Sequence, residues 1–246
     1  MQNVDFGKRV SGLSLRQAAF ITGITYLLNP VPFAEFYAMP HLSGSSGAQS
    51  VSNIAAHPHL FSAAVLSYFI SLLGDVVIAW ALYVLLAPVN RALSLLGSWL
   101  QLTYAAMSLA GVSNLGLLYR LVTLPEYRER VTAGALPDQA VLLVGAFRSG
   151  WNSALILFGL HLVIIGFLIA RSTYLPRWLG WLLVADGFAW VVNELSVYLF
   201  PNAPLGFLML FFLGELIFMV WLLGWGWRIK EPSNSLSAAP AIETAL

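Results

Sequence analysis

The stretch "LFSAAVLSYFISLLGDVVIAWALYVLLA", residues 60–87, decides the fold class. Its 28 residues include a single charged side chain, Asp75. About 20 consecutive apolar residues, rising about 1.5 Å each, cross the hydrocarbon core of a bilayer. Residues 60–87 therefore read as a membrane helix, and a carboxylate near its middle needs a reason. On insertion scales a lone Asp at the centre of such a helix costs about 2.5–3.5 kcal/mol.

The rest of the chain has the same character. Of 246 residues, 59% are hydrophobic and 9% charged, with a mean hydropathy of +0.79. Soluble domains carry about 25% charged residues, so this surface is too apolar to be covered by water. Working outward from residues 60–87, the apolar periodicity predicts an all-α bundle of six transmembrane helices, at roughly 15–39, 60–87, 92–119, 139–170, 176–200 and 205–228. The six-helix domain covers residues 15–228, preceded by a cytoplasmic segment 1–14. Residues 229–246, which include "EPSNSLSAAPAIETAL", are small and polar and read as a disordered cytoplasmic tail. The first run has no small-residue cleavage site, so it reads as a retained helix rather than a signal peptide. Between the first two spans lies the Gly/Ser-rich loop "PHLSGSSGAQSVSNIAAHPH".

Orientation follows from the basic residues in the short flanks. Eight lie on one side: Lys8, Arg9, Arg16, Arg91, Arg171, Arg177, Arg228 and Lys230. Three lie on the other: Arg120, Arg128 and Arg130. Both termini are thus expected in the cytoplasm of a multi-pass cell (inner) membrane protein.

Asp75 has company. Arg148, Asn152 and His161 fall in span four, Asp186, Asn193 and Glu194 in span five, Glu215 in span six, Gln101 in span three and Glu35 near the outer end of span one. Ser67, Ser71, Gly74 and Asp75 lie on one side of span two, and Ser94, Gln101 and Ser108 repeat at seven along span three. Arg148 and Asn152 are aligned, whereas His161 points about 140° away from Arg148, and Glu194 about 80° from Asp186. Counted inward from the loops, the set divides by depth. An outer cluster is expected, in which Arg148 pairs with Glu35 or Glu194, and a mid-membrane cluster around Asp75, Asp186 and Glu215. Asp75, Gln101, Arg148, Asn152, His161, Asp186, Asn193, Glu194 and Glu215 are the candidate binding residues of an intramembrane polar site. The plainer reading is that these groups cement helices, at roughly 0.6 kcal/mol per contact.

Several chemistries find no support. The chain has no cysteine, which removes disulfides, thiolate zinc, iron–sulfur clusters and covalently attached haem. Only His161 lies in a span, too few ligands for an intramembrane zinc site or bis-His haem. "RSGWNS" offers Ser149 and Ser153 but not the turn of a serine nucleophile. His41, His57 and His59 read as ordinary loop residues rather than metal ligands. No phosphate-binding glycine motif occurs, and a net charge of +1 gives no nucleic-acid signal. No catalytic residue, metal or cofactor is assigned.

"FGLHLVIIGFLIARSTYLPRWLGWLLVADG" at residues 158–187, "ALYVLLAPVNRALSLL" at 81–96 and "FAEFY" after span one resemble the bacterial multi-pass membrane proteins grouped as domain of unknown function 4386. Gly159, His161, Gly166, Pro176 and Gly180 are the matching landmarks. The resemblance implies a six-helix bacterial membrane protein and no particular activity. The expected function is non-enzymatic: a lipid-embedded protein that binds or moves a small solute, a proton or a lipid-like molecule. An intramembrane enzyme and a structural or assembly subunit of a membrane complex are the alternatives.

Overall fold

A computed structural model describes residues 12–132, 134–199 and 203–230. The expected tail, apart from Ile229 and Lys230, and most of the N-terminal segment lie outside the described residues. The described secondary structure is entirely helical. The main helices are α1 (Leu15–Leu27), α2 (Gly47–Ala56), α3 (Pro58–Leu86), α4 (Arg91–Thr123), α5 (Leu136–Arg171), α6 (Arg177–Leu199) and α7 (Leu213–Trp225). Their starts carry recognisable chemistry. Ser14 Oγ accepts from the Gln17 amide while the Gln17 side chain accepts from the Ser14 amide, a reciprocal cap on α1. Asn90 caps α4 through the Leu93 amide. Pro58 and Pro137 sit in first turns, where a missing N–H costs nothing.

Five segments are long and apolar enough to cross a membrane: Pro58–Leu86, Arg91–Thr123, Leu136–Arg171, Arg177–Leu199 and Leu205–Arg228. The first expected span is not a continuous helix. α1 stops at Leu27 after 13 residues, which reach only about 20 Å. Pro30 disfavours the helical conformation at Asn29 and brings no N–H of its own. The chain then resumes through a short turn at Val31–Phe33, one π-helical turn at Ala34–Ala38 and a last turn at Met39–Leu42. Pro40 offers no amide to the Phe36 carbonyl, and the Met39 amide reaches back five residues to Ala34 instead. The Gly/Ser-rich loop also differs from expectation, because Ser46 caps a ten-residue helix, α2, through the Gln49 amide. The last span is interrupted too: a 3-10 stretch at Leu205–Leu210 precedes α7.

The six long elements pack in chain order as a ring. α1 lies on α3, α3 on α4, α4 on α5, α5 on α6, α6 on α7, and α7 returns to α1. Polarity is reversed relative to a soluble bundle. On α3, Leu73 is 69% exposed while Asp75 is 6% exposed, and the outward face also carries Leu66, Ile70 and Trp80. Trp178, Trp181, Tyr198, Trp225 and Trp227 are likewise exposed. An apolar exterior around a polar interior is the arrangement a lipid solvent demands, and the bundle is that of a membrane-embedded protein.

The tightest crossing joins α5 to α6. A Cβ placed on Gly159 would lie 2.6 Å from the Gly187 carbonyl oxygen, and one on Gly166 would lie 2.5 Å from that of Gly180. The two pairs run in opposite senses along antiparallel helices, with the glycines seven positions apart on each. Small residues let backbones approach where lipid provides no hydrophobic drive for association. α5 runs unbroken through Gly150 and Gly159, so these glycines serve packing rather than a bend. Replacing Gly166 or Gly180 with Ala should destabilise the bundle by roughly 1–3 kcal/mol. Gly116→Ala and Gly145→Ala, where an added methyl meets nothing within 4 Å, should change stability by less than about 0.5 kcal/mol. Unfolding in detergent micelles, followed by circular dichroism, makes the comparison.

Candidate functional site

The ring encloses a cavity of about 380 Å³. Tyr26, Asn29 and Glu35 reach it from the interrupted first span, Ser71 and Asp75 from α3, Tyr104 from α4, Arg148 and Asn152 from α5, Trp190 and Glu194 from α6 and Glu215 from α7. Every long element of the ring therefore contributes to one space.

One polar group sits toward its more exposed part. Arg148 Nη1 lies 2.8 and 3.0 Å from the two oxygens of Glu35, with the Arg148 and Glu35 side chains 42% and 21% exposed. The Tyr68 hydroxyl donates to the same carboxylate at 2.6 Å. Of the two partners expected for Arg148, Glu35 is the one it meets. Nearby, the break in the first span is stitched by side chains. Asn29 Oδ1 accepts from the Val31 amide at 3.0 Å and from the Ser71 hydroxyl at 2.6 Å. The first bond satisfies a donor the helix break releases, and the second ties the break to α3.

The buried part holds the remaining acids. Gln101 Nε2 donates to Asp75 Oδ1 at 2.9 Å, and Gln101 Oε1 has no partner among the described residues. Ser94 of the same stripe and Ser98, one turn on, fasten α4 to α3 through the carbonyls of Tyr83 and Ala79. Trp190 Nε1 donates to Glu215 Oε1 at 3.1 Å. Asp186, fully buried, accepts the Glu215 backbone amide at 3.1 Å through Oδ2. α7 begins inside the bundle, so its first-turn amides have no water to meet, and Asp186 caps one of them from a neighbouring helix. Glu194 accepts from Asn193 at 3.0 Å.

The sequence-predicted residues thus separate. Asp75, Arg148, Asn152, Glu194 and Glu215 line the cavity. Gln101, Asp186 and Asn193 stand behind it, each bonded to a residue that lines it. His161 lies apart. Its Nδ1 is 2.7 Å from the Gly97 carbonyl, which can only accept, and Nε2 is buried without a partner among the described residues. It clamps α5 to α4. In the outer segment, His41 and His57 bond to the carbonyls of Tyr37 and Asn53, four residues back.

Sequence reasoning missed Tyr26, Asn29, Tyr68 and Gly214. Asn29–Pro30 is a readable breaker signal. Gly214 has none, yet a Cβ there would stand 2.6 Å from Asp186 Oδ2 and block the cap. The aromatic walls pass as bulk in a sequence. Tyr104 meets Trp151 edge-on at 6.2 Å and Phe158 at 5.1 Å, Phe158 meets Trp190 edge-on at 6.1 Å, and Trp190 stacks on Phe212 at 3.8 Å.

The Asp75–Gln101 contact has a measurable asymmetry. Gln101→Leu leaves a buried carboxyl without its donor and should cost roughly 1–3 kcal/mol, whereas Asp75→Leu combined with Gln101→Leu should regain most of that loss. Denaturation of the two variants in micelles tests this.

The chain matches the family model described as Domain of unknown function over residues 21–226. An uncharacterised protein of Archaeoglobus fulgidus is 29% identical over 174 residues, 71% of this chain and 89% of that protein. That relative is archaeal, so the likeness is not confined to bacteria. No solved structure matches the chain. With most of its length inside the match, the chain belongs to the family described as Domain of unknown function (DUF4386).

Proposed function

We propose that the protein is a six-span membrane protein whose central cavity binds or moves a small solute, without catalysis. In this reading α1 and the interrupted segment to Leu42 together make the first crossing, and both termini face the cytoplasm of a bacterial inner membrane. The carrying observation is the cavity, to which all six long elements bring polar side chains. Its volume of about 380 Å³ is in the range of small-molecule sites, roughly 300–1,000 Å³. A proton relay needs only a file of groups and waters of about 30 Å³ each. Support also comes from the two interrupted spans, which neighbour each other in the ring and both place residues at the cavity. Irregular backbone at membrane depth is tolerated where it is buried or lines such a space, and interrupted helices form the solute sites of many transporters.

Two measurements test the reading. A reporter fused after the C-terminus should behave as cytoplasmic, and an external C-terminus would overturn the layout. Protein purified in mild detergent should carry a small molecule detectable by native mass spectrometry. Asn152→Trp, which adds bulk at the exposed side of the cavity, should lower its occupancy by about tenfold. A stoichiometric metal or redox cofactor would favour an enzyme instead, and a stably co-purifying protein an assembly subunit.

A further inference from the structure

The proposed solute site has a chemical preference, and its inventory of hydrogen bonds shows which. Arg148 is the one basic side chain lining the cavity among the described residues, and Glu35 holds it through both oxygens. Glu35 meets the guanidinium through Nη1, and as an ion pair the two add no net positive charge to the cavity. The positive end of α7 is occupied as well, because Asp186 takes its amide. Three other carboxyl groups line the same space with no cation among the described residues: Asp75, Glu194 and Glu215. Each accepts one protein donor on one oxygen, from Gln101, Asn193 and Trp190 respectively. The second oxygen of each has no hydrogen-bond donor among the described residues.

Asp75 is 6% exposed and lines the cavity, and its second oxygen has no hydrogen-bond partner among the described residues. The Tyr26 hydroxyl, also at the cavity, is buried with no partner among the described residues. The walls beside these acceptors are ring faces and edges of Tyr104, Trp151, Phe158 and Trp190. Carboxyl oxygens with adjoining aromatic faces are the two features that select an organic ammonium group over a neutral or anionic one. An inorganic ion fits less well. No group of three His, Asp or Glu among the described residues is placed to hold a metal, and the volume of about 380 Å³ leaves room for many atoms beyond an ion.

We infer that the cavity takes an organic cation: a protonated amine on a compact apolar or aromatic body. The ammonium lies between the free oxygens of Asp75 and Glu215, and the body lies against Trp190, Phe158 and Tyr104. This assignment rests on the reading of the cavity as a solute site.

The test uses the full chain in lipid nanodiscs, with empty nanodiscs as the blank for partitioning. The probes are 2-phenylethylamine, its alcohol analogue 2-phenylethanol and the acid 3-phenylpropionate, followed by calorimetry and tryptophan fluorescence. The amine should bind saturably, about tenfold or more tighter than the alcohol or the acid. Asp75→Asn and Glu215→Gln should each weaken it by about tenfold or more, while Glu126→Gln, outside the cavity, should not. If Asp75→Asn does not yield folded protein, Glu215→Gln alone carries the comparison. Equal binding of alcohol, acid and amine overturns the cation assignment and leaves the solute site standing. Amine binding that survives both carboxyl substitutions overturns it also. Saturable binding of no probe rejects the assignment, while the co-purified molecule and its response to Asn152→Trp judge the solute site independently.

Discussion

The bilayer supplies no hydrogen bonds, and that absence governs this structure. Every backbone donor released at membrane depth must be answered by the protein itself. Two of the six long elements are interrupted, and each interruption is answered by one side chain. Asn29 takes the Val31 amide after the break in the first span, and Asp186 takes the Glu215 amide at the start of α7. Those two residues are polar because the backbone requires it. Asn29 also lines the cavity, and Asp186 stands behind it, bonded to Glu215, which does.

Close approach is the second condition. Where α5 meets α6, four glycines bring main chains into contact, and α4 meets α5 through Gly111 and Gly150. On the other side of the ring, α1 meets α7 at Gly23 and the turn that follows α7 at Gly226. The helices are drawn together at these points, while the large aromatic rings between them hold the centre open. Small residues at crossings and bulky ones around the cavity are complementary parts of one packing solution.

Much of this is written openly in the sequence. The apolar runs mark the helices that cross, the Ser94–Gln101 stripe marks the face that meets α3, and the resemblance landmarks Gly159, Gly166 and Gly180 mark the closest crossing. Asp75 stands out as an expensive residue and proves to face the interior. Helical spacing also separates His161 from Arg148, and the two sit in different environments. What periodicity hides is anything set by a third element. Asp186 reads as a member of an acidic cluster, and its bond to the Glu215 amide is a second, backbone role that spacing cannot show. Gly214 looks like any glycine until Asp186 arrives beside it. The first span reads as one helix because hydropathy sums over residues and is blind to the Asn29–Pro30 break, whose signal is conformational.

The order of the ring has a consequence for how the protein is made. Among the six long elements the main packing joins neighbours in sequence, except where α1 meets α7 and Arg16 Nε donates to the Ile229 carbonyl at 2.8 Å. Helices leave the ribosome from the N-terminus onward, so five of the six elements are made before the last can close the circle. Until then the wall that Glu215 supplies is missing, while Glu35 already has Tyr68 and Arg148 and Asp75 already has Gln101. The cavity is the final product of biosynthesis. A ribosome that stalls before α7 leaves behind a nearly complete bundle with its acidic interior exposed, a form that membrane quality control can distinguish from the finished protein.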